Sequence, residues 1–141
     1  MKKNILITLT IILGLFAISW SGCKSNDVSP EEFIIQIDSI VHADTITFGE
    51  TLSIKFYGEV GPNGCYSFGR LSAEYIPAEN ANDELLITSY GNKSNASTCP
   101  EGIVYMNGDE LIVSDIPAGN LDVKAMQPDG SAITQHVFIK E

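Results

Sequence analysis

Residues 52–57 read Leu-Ser-Ile-Lys-Phe-Tyr, and their pattern is the clearest indication of the fold class. The apolar residues Leu52, Ile54 and Phe56 alternate with residues suited to a solvent-facing side, Tyr57 among them. A period of two places one set on a buried face of a β-strand and the other set toward water. The stretch therefore predicts one strand of a half-buried β-sheet.

Similar runs, rich in β-branched and aromatic residues, continue through the rest of the chain from residue 33. Gly61-Pro62-Asn63-Gly64 and Gln127-Pro128-Asp129-Gly130 predict tight turns, because Pro fixes one φ and Gly accepts a positive φ. The second turn joins the last two strands as a hairpin. The predicted strands are 33–41, 51–59, 65–75, 84–90, 110–116, 121–127 and 132–140, with a weak extra strand at 103–106. About seven strands and no helical periodicity predict an all-β, immunoglobulin-like sandwich of two antiparallel sheets. An apolar signal-peptide helix and a flexible tether precede it.

The start of the chain has a different composition. Lys2 and Lys3 precede an apolar run over 5–18, which small residues follow. This order is typical of a secretory signal peptide. The run is shorter than the roughly 20 apolar residues of a membrane-spanning helix.

Residues Trp20-Ser21-Gly22-Cys23 resemble the lipobox of bacterial lipoproteins, with Trp20 at a position that is usually aliphatic. The resemblance implies cleavage before Cys23, a diacylglyceryl thioether on its sulfur and an acylated amino group. Acyl chains, at about 0.8 kcal/mol per buried methylene, would hold the protein on a membrane lipid surface. The implied address is the bacterial cell envelope, at the outer membrane, with the periplasmic or surface face left open. The alternative is an ordinary secreted protein whose Cys23 is removed or free.

Three segments follow from these observations. Residues 1–22 are the predicted lipoprotein signal peptide, 23–32 the lipidated cysteine with a polar flexible tether, and 33–141 the sandwich domain. Within that domain, Gly61-Pro62-Asn63-Gly64-Cys65-Tyr66-Ser67-Phe68, Cys99-Pro100 and Ile116-Pro117-Ala118-Gly119 resemble landmarks of small envelope lipoproteins of Gram-negative bacteria. That resemblance implies a fold and an address, and no activity.

The three cysteines cannot all pair with one another. If Cys23 is acylated, Cys65 and Cys99 remain as an even pair, and we expect a disulfide between them. The alternatives are a metal pair, for which only His42 and His136 could complete a set of about four ligands, and two free thiols.

The chain has a net charge of −10. Removal of Lys2 and Lys3 with the signal peptide leaves six of its eight basic residues against 18 acidic ones, a net charge of −12. Such a surface disfavours nucleic acid and anionic lipid headgroups as partners.

The sequence predicts no catalytic residue, cofactor or metal. His42 and His136 lack a catalytic motif and are interpreted as surface or edge-strand residues. The oxygen-rich stretches 80–84 and 107–110 lack the spacing of a calcium loop, although calcium stays open. Ser39 and Thr45 follow Asp and precede Ile, which resembles a bacterial O-glycosylation motif.

We expect a non-enzymatic binding or structural module that presents loops to an unknown protein or glycan partner. The alternatives are an inhibitor of a protease or lysozyme and, more remotely, a hydrolase. The tyrosines are candidate stacking platforms for a glycan, with packing at the sheet rim as the other interpretation. The candidate binding loop comprises Gly61, Pro62, Asn63, Gly64, Asn92, Lys93 and Asn95.

Overall fold

The computed structural model describes residues 29–79 and 81–141. In these ranges the chain forms β-strands and no helix, which confirms the all-β prediction. The strands are β1 (Glu31–Ile34), β2 (Ser39–Val41), β3 (Thr45–Thr47), β4 (Leu52–Asn63), β5 (Tyr66–Ile76), β6 (Asp83–Lys93), β7 (Glu101–Val113), β8 (Gly119–Met126) and β9 (Ala132–Lys140). The predicted signal peptide and Cys23 lie outside the described residues.

The nine strands form two sheets. The smaller sheet has the order β2-β4-β7. In the larger sheet, β6 pairs on one side with β5 and on the other with both β1 and β8, and β9 and β3 follow beyond β8. The prediction of two sheets is therefore confirmed.

The core contains apolar side chains from both sheets. Leu52, Ile54 and Phe56 are fully buried on β4, and Leu121 and Val123 of β8 belong to the same core cluster. The alternation predicted for 52–57 is confirmed, because the intervening residues face outward, and β8 has the same pattern. Each buried side chain of this size contributes about 1.5–3 kcal/mol.

The predicted strand 33–41 is wrong as one element. β1 pairs with β6 in the larger sheet, whereas β2 pairs with β4 in the smaller one. Ile35 and Ile37 lie between β1 and β2 and are buried, so the chain contributes to the core while it changes sheets. The first strand begins at Glu31, inside the predicted tether, and β3 was not predicted.

The predicted antiparallel arrangement needs correction as well. β6 pairs with β8 in parallel, and β3 pairs with β9 in parallel, so the larger sheet is mixed. The chain leaves β6, forms β7 in the other sheet, and then returns as β8. This crossover allows two parallel strands to lie side by side.

β7 joins the predicted strands 103–106 and 110–116 into one element that ends at Val113. A register shift occurs opposite Phe56 and Tyr57, where Gly108 has a φ of +90°. A bulge with glycine in the left-handed region keeps both halves of β7 in the same sheet.

The two predicted turns have different outcomes. The hairpin between β8 and β9 is confirmed: Gly130 N–H donates to the carbonyl of Gln127 at 3.0 Å, with a Gly130 φ of +84°. The turn predicted at 61–64 is wrong in position. β4 continues to Asn63, and the chain reverses at Gly64 and Cys65.

The strands run between two ends of the molecule. At the disulfide end, Glu31, Lys93 and Tyr66 are paired across three adjacent strands. At the distal end, β6 and β8 begin and β9 ends, with Asp83 opposite Leu121. Eleven residues of β6 separate these ends, which corresponds to about 33 Å.

Candidate functional site

Cys65 and Cys99 form a disulfide, as predicted, with their Cα atoms 5.1 Å apart. The bond uses both sulfurs, so the metal-pair and free-thiol alternatives are wrong for this structure. Two backbone hydrogen bonds of 2.8 Å lie next to the disulfide. They run from Gly64 N–H to the Pro100 carbonyl and from Ser94 N–H to the Cys65 carbonyl. The disulfide therefore joins segments that are also held together by the backbone.

The candidate binding residues predicted from the sequence do gather at the disulfide end, but most of them are not in a loop. Gly61, Pro62 and Asn63 belong to β4, and Asn92 and Lys93 belong to β6. The remaining two lie in connecting segments: Gly64 in the turn after β4, and Asn95 in the exposed segment after β6. The prediction of one recognition loop is corrected accordingly.

The side chains of this group have structural contacts. Asn63 Oδ1 accepts a 3.0 Å hydrogen bond from Cys65 N–H, which supports the turn. Gly61 faces the Tyr66 ring closely enough that a Cβ atom would clash with it. Tyr66 packs edge-on against Phe33, with ring centroids 5.6 Å apart. Tyr66 is therefore a packing residue rather than an open stacking platform.

A different group of residues forms a shallow groove of about 410 Å³ near the distal end. We call it the distal groove, and it is lined by Asp44, Asn82, Asn120, His136, Val137 and Phe138. Asn120 is paired with Phe138, and Asp122 with His136, across β8 and β9. Because side chains two residues apart share a face, these four project from the same outer face of the larger sheet.

Asp122 lies beside the groove and contacts two of the side chains that line it. One of its oxygens, Oδ1, accepts a hydrogen bond from Asn82 Nδ2 at 2.8 Å and contacts His136 Nδ1 at 2.7 Å. Burial acts to raise the pKa of Asp122, but the hydrogen bonds from Asn82 and His136 outweigh it and lower the pKa. Asp122 is therefore a carboxylate that fixes two groove side chains.

The sides of the groove differ in polarity. The Phe138 ring is 49% exposed and the Asp44 carboxylate is also exposed. The Phe138 N–H donates to the Asp44 carbonyl at 2.9 Å, which holds the backbone before β3 against β9. An apolar ring thus lies beside amide, imidazole and carboxylate groups on one face of the sheet.

In the oxygen-rich stretch 80–84, the side chains of residues 82–84 contact different partners. Asn82 contacts Asp122, Asp83 accepts a hydrogen bond from the Tyr75 hydroxyl, and Glu84 pairs with Lys124 at 2.6 Å. Across 29–79 and 81–141, no three His, Cys, Asp or Glu side chains are grouped so that they could hold a metal ion.

The remaining predicted sites lie elsewhere on the molecule. Ser39 and Thr45 are exposed first residues of β2 and β3, and their glycosylation stays a prediction. His42 directly follows β2, with Nδ1 3.0 Å from the Ala43 carbonyl oxygen. His136 is exposed on β9, and its contact with Asp122 was not foreseen.

The outer face of the smaller sheet is the second notable surface. Ile103, Tyr105 and Ile112 on β7 and Val41 on β2 are each more than half exposed. In the part of the chain that the structure describes, β7 pairs with β4 alone and leaves its other edge open. Bulges and charged residues protect an open strand edge from pairing with another chain. β7 has a bulge at Gly108 and a charged side chain at Glu110.

The described residues contain no helix with the length and apolar character needed to cross a membrane. No protein-family model matches the chain, and neither does any curated protein or solved structure.

Proposed function

We propose that this protein is an envelope-tethered, non-enzymatic binding module that displays the distal groove away from a membrane. The lipobox-like Trp20-Ser21-Gly22-Cys23 and the polar segment after it support the tether. The rigid groove on the larger sheet supports the binding role. The proposed location is the outer membrane of a bacterial envelope, and the ligand is an unknown protein or glycan.

The observation that carries the proposal is the position of the groove relative to the chain start. The described chain enters at the disulfide end, where Glu31 lies opposite Lys93. The groove residues Asn82 and Asn120 lie next to the starts of β6 and β8, at the distal end. A lipid at Cys23 would therefore place the disulfide end toward the membrane and the groove toward solvent.

Lengths support the same arrangement. From Cys23 to Glu31 an extended chain reaches at most about 29 Å. The strands add about 33 Å between the disulfide end and the groove. A ligand at the groove would thus lie well outside the headgroup layer, with room for a large partner.

We also propose an immunoglobulin-like relationship for the sandwich. It is supported by the β8–β9 hairpin, by the parallel pairing of β3 with β9, and by the three-stranded sheet β2-β4-β7. The parallel pairing of β6 with β8 departs from that architecture, in which the equivalent neighbours are antiparallel.

Fluorescence quenching on lipid vesicles tests the proposed orientation. A fluorophore is attached at Asn95→Cys, at the disulfide end, or at Ala118→Cys, at the distal end, and the lipid-modified protein is bound to vesicles that carry a headgroup quencher. Both positions are exposed, so they form a matched pair. We expect several-fold stronger quenching at position 95.

Equal quenching at the two positions, or stronger quenching at position 118, would overturn the orientation. A Cys23→Ser variant serves as the control for the anchor and should stay in the aqueous phase. If the protein with Cys23 intact also stays in the aqueous phase, the proposed tether is wrong.

A hydrolase is the second candidate, because His136 has a carboxylate partner in Asp122. A base oriented by a carboxylate is one part of many hydrolytic sites. Turnover of an ester, peptide or glycoside that disappears in His136→Gln would support this candidate.

A further inference from the structure

We propose that the distal groove binds a neutral sugar ring at the end of a glycan, an inference that rests on the groove being the ligand site proposed above. One face of a sugar ring presents C–H groups and its rim presents hydroxyls. The groove presents an exposed Phe138 ring with hydrogen-bonding side chains around it. The two surfaces are complementary in polarity.

Phe138 supplies the apolar contact. It lies on β9 directly opposite Asn120 of β8, and both side chains project from the outer face of the larger sheet. β9 is held on both sides here, by β8 and by β3, so the ring stands on a rigid strand. A ring fixed in this way can stack on a C–H face with little loss of conformational entropy.

The amide and imidazole groups supply directed polar contacts. Nδ2 of Asn82 and Nδ1 of His136 already contact the Asp122 carboxylate. The amide oxygen of Asn82 and Nε2 of His136 therefore remain for hydrogen bonds to a ligand. Asn120 adds an exposed amide, which offers both a donor and an acceptor. Hydroxyl groups both donate and accept, so they match such a mixed set.

Charge argues against an anionic ligand. The exposed Asp44 carboxylate lies in the groove and the whole chain carries a charge of −10, so phosphate, sulfate or a uronic acid would be repelled. A wholly apolar ligand would cover Asn82 and Asn120 without satisfying their polar atoms, which is unfavourable. A neutral polyhydroxylated ligand avoids both penalties.

Asp122 is a positioning residue in this proposal. It sets the side-chain orientations of Asn82 and His136 and does not itself line the groove. Replacement by Asn would keep the size of the side chain while removing the negative charge. We therefore expect Asp122→Asn to weaken glycan affinity and to change its pH dependence, whereas a merely structural residue would change stability alone.

A glycan array tests the proposal with the full purified chain in detergent. The probes are neutral oligosaccharides that end in a hexose, deoxyhexose or N-acetylhexosamine, with matched amino-sugar and uronic-acid versions. We expect binding to a subset of the neutral probes, and Phe138→Ala should reduce that affinity about tenfold. The matched control is Tyr105→Ala, at an aromatic residue of similar exposure on the other sheet, and this variant should bind like the protein without substitutions.

Three outcomes would overturn the inference. These are no binding to any neutral probe, binding confined to the amino-sugar probes, and equal losses in Phe138→Ala and Tyr105→Ala. The array does not require a membrane, so its failure leaves the vesicle result intact. Conversely, glycan binding combined with a failed orientation test would retain the sugar site and remove only the proposed display.

Discussion

Removal of the Cys65–Cys99 disulfide should lower the free energy of unfolding by an amount that follows from the length of the loop it closes. The bond closes a loop with a sequence separation of 34. In the chain-entropy treatment, a loop of this length restricts the unfolded state by about 3.8 kcal/mol at 25 °C. For a domain of roughly 110 residues, this corresponds to a fall of about 15 °C in Tm.

The measurement is urea unfolding of the unmodified protein and of the Cys65→Ala, Cys99→Ala double variant, each with and without a reducing agent. Reduction should lower the stability of the unmodified protein almost to that of the variant and leave the variant unchanged. The reduced protein retains both side chains, so it separates the crosslink from the loss of the buried Cys65 side chain. A loss below about 1 kcal/mol on reduction would refute the loop-entropy argument.

Three further predictions concern single residues. Gly58→Ala should cost about 1–3 kcal/mol in urea unfolding, because the new Cβ would clash with the Gln36 carbonyl oxygen of the backbone; a cost near zero would mean that this close approach is relaxed. Asp122→Asn should destabilise the protein by roughly 1 kcal/mol near neutral pH. Because the folded-state pKa of Asp122 lies below 3.8, that stabilisation exists above this value and is lost as pH falls through the folded pKa, so the difference between the proteins should vanish in acid. Partial burial of Tyr75, which is 38% exposed, and its hydrogen bond to Asp83 raise its pKa to about 12. Stability should therefore fall as pH rises from 10 toward 12, and Tyr75→Phe should remove a step near pH 12 from an ultraviolet tyrosine titration.

The sequence predicts those elements whose two faces meet different environments. At 52–57 and 121–126 one face is buried and the other faces solvent, so apolar and polar residues alternate. This alternation identifies the strands and shows which side chains face the core. The sequence predicts a single strand at 33–41, whereas the structure has two strands there in different sheets. Ile35 and Ile37 are buried while the chain passes between sheets, and apolar composition alone does not show such a change of partner.

The distal groove could not be predicted from local spacing. Asn82 and Asp122 are 40 residues apart and meet because β6 and β8 lie in parallel. Nothing in either strand specifies that pairing, since β7 lies between them in the chain. The disulfide was predictable because a count of cysteines, rather than a geometry, leads to it.

The position of β6 has a consequence for the order in which the protein forms during synthesis. β6 pairs with β1, which lies near the beginning of the described chain, and with β8, which lies near its end. β3 likewise pairs with β9, the last strand to be synthesised. The larger sheet is therefore incomplete until the last strands have left the ribosome, and contacts of such long sequence separation form slowly. A chain that completes its fold late stays unfolded for longer, which would be compatible with the export that the proposed signal peptide implies.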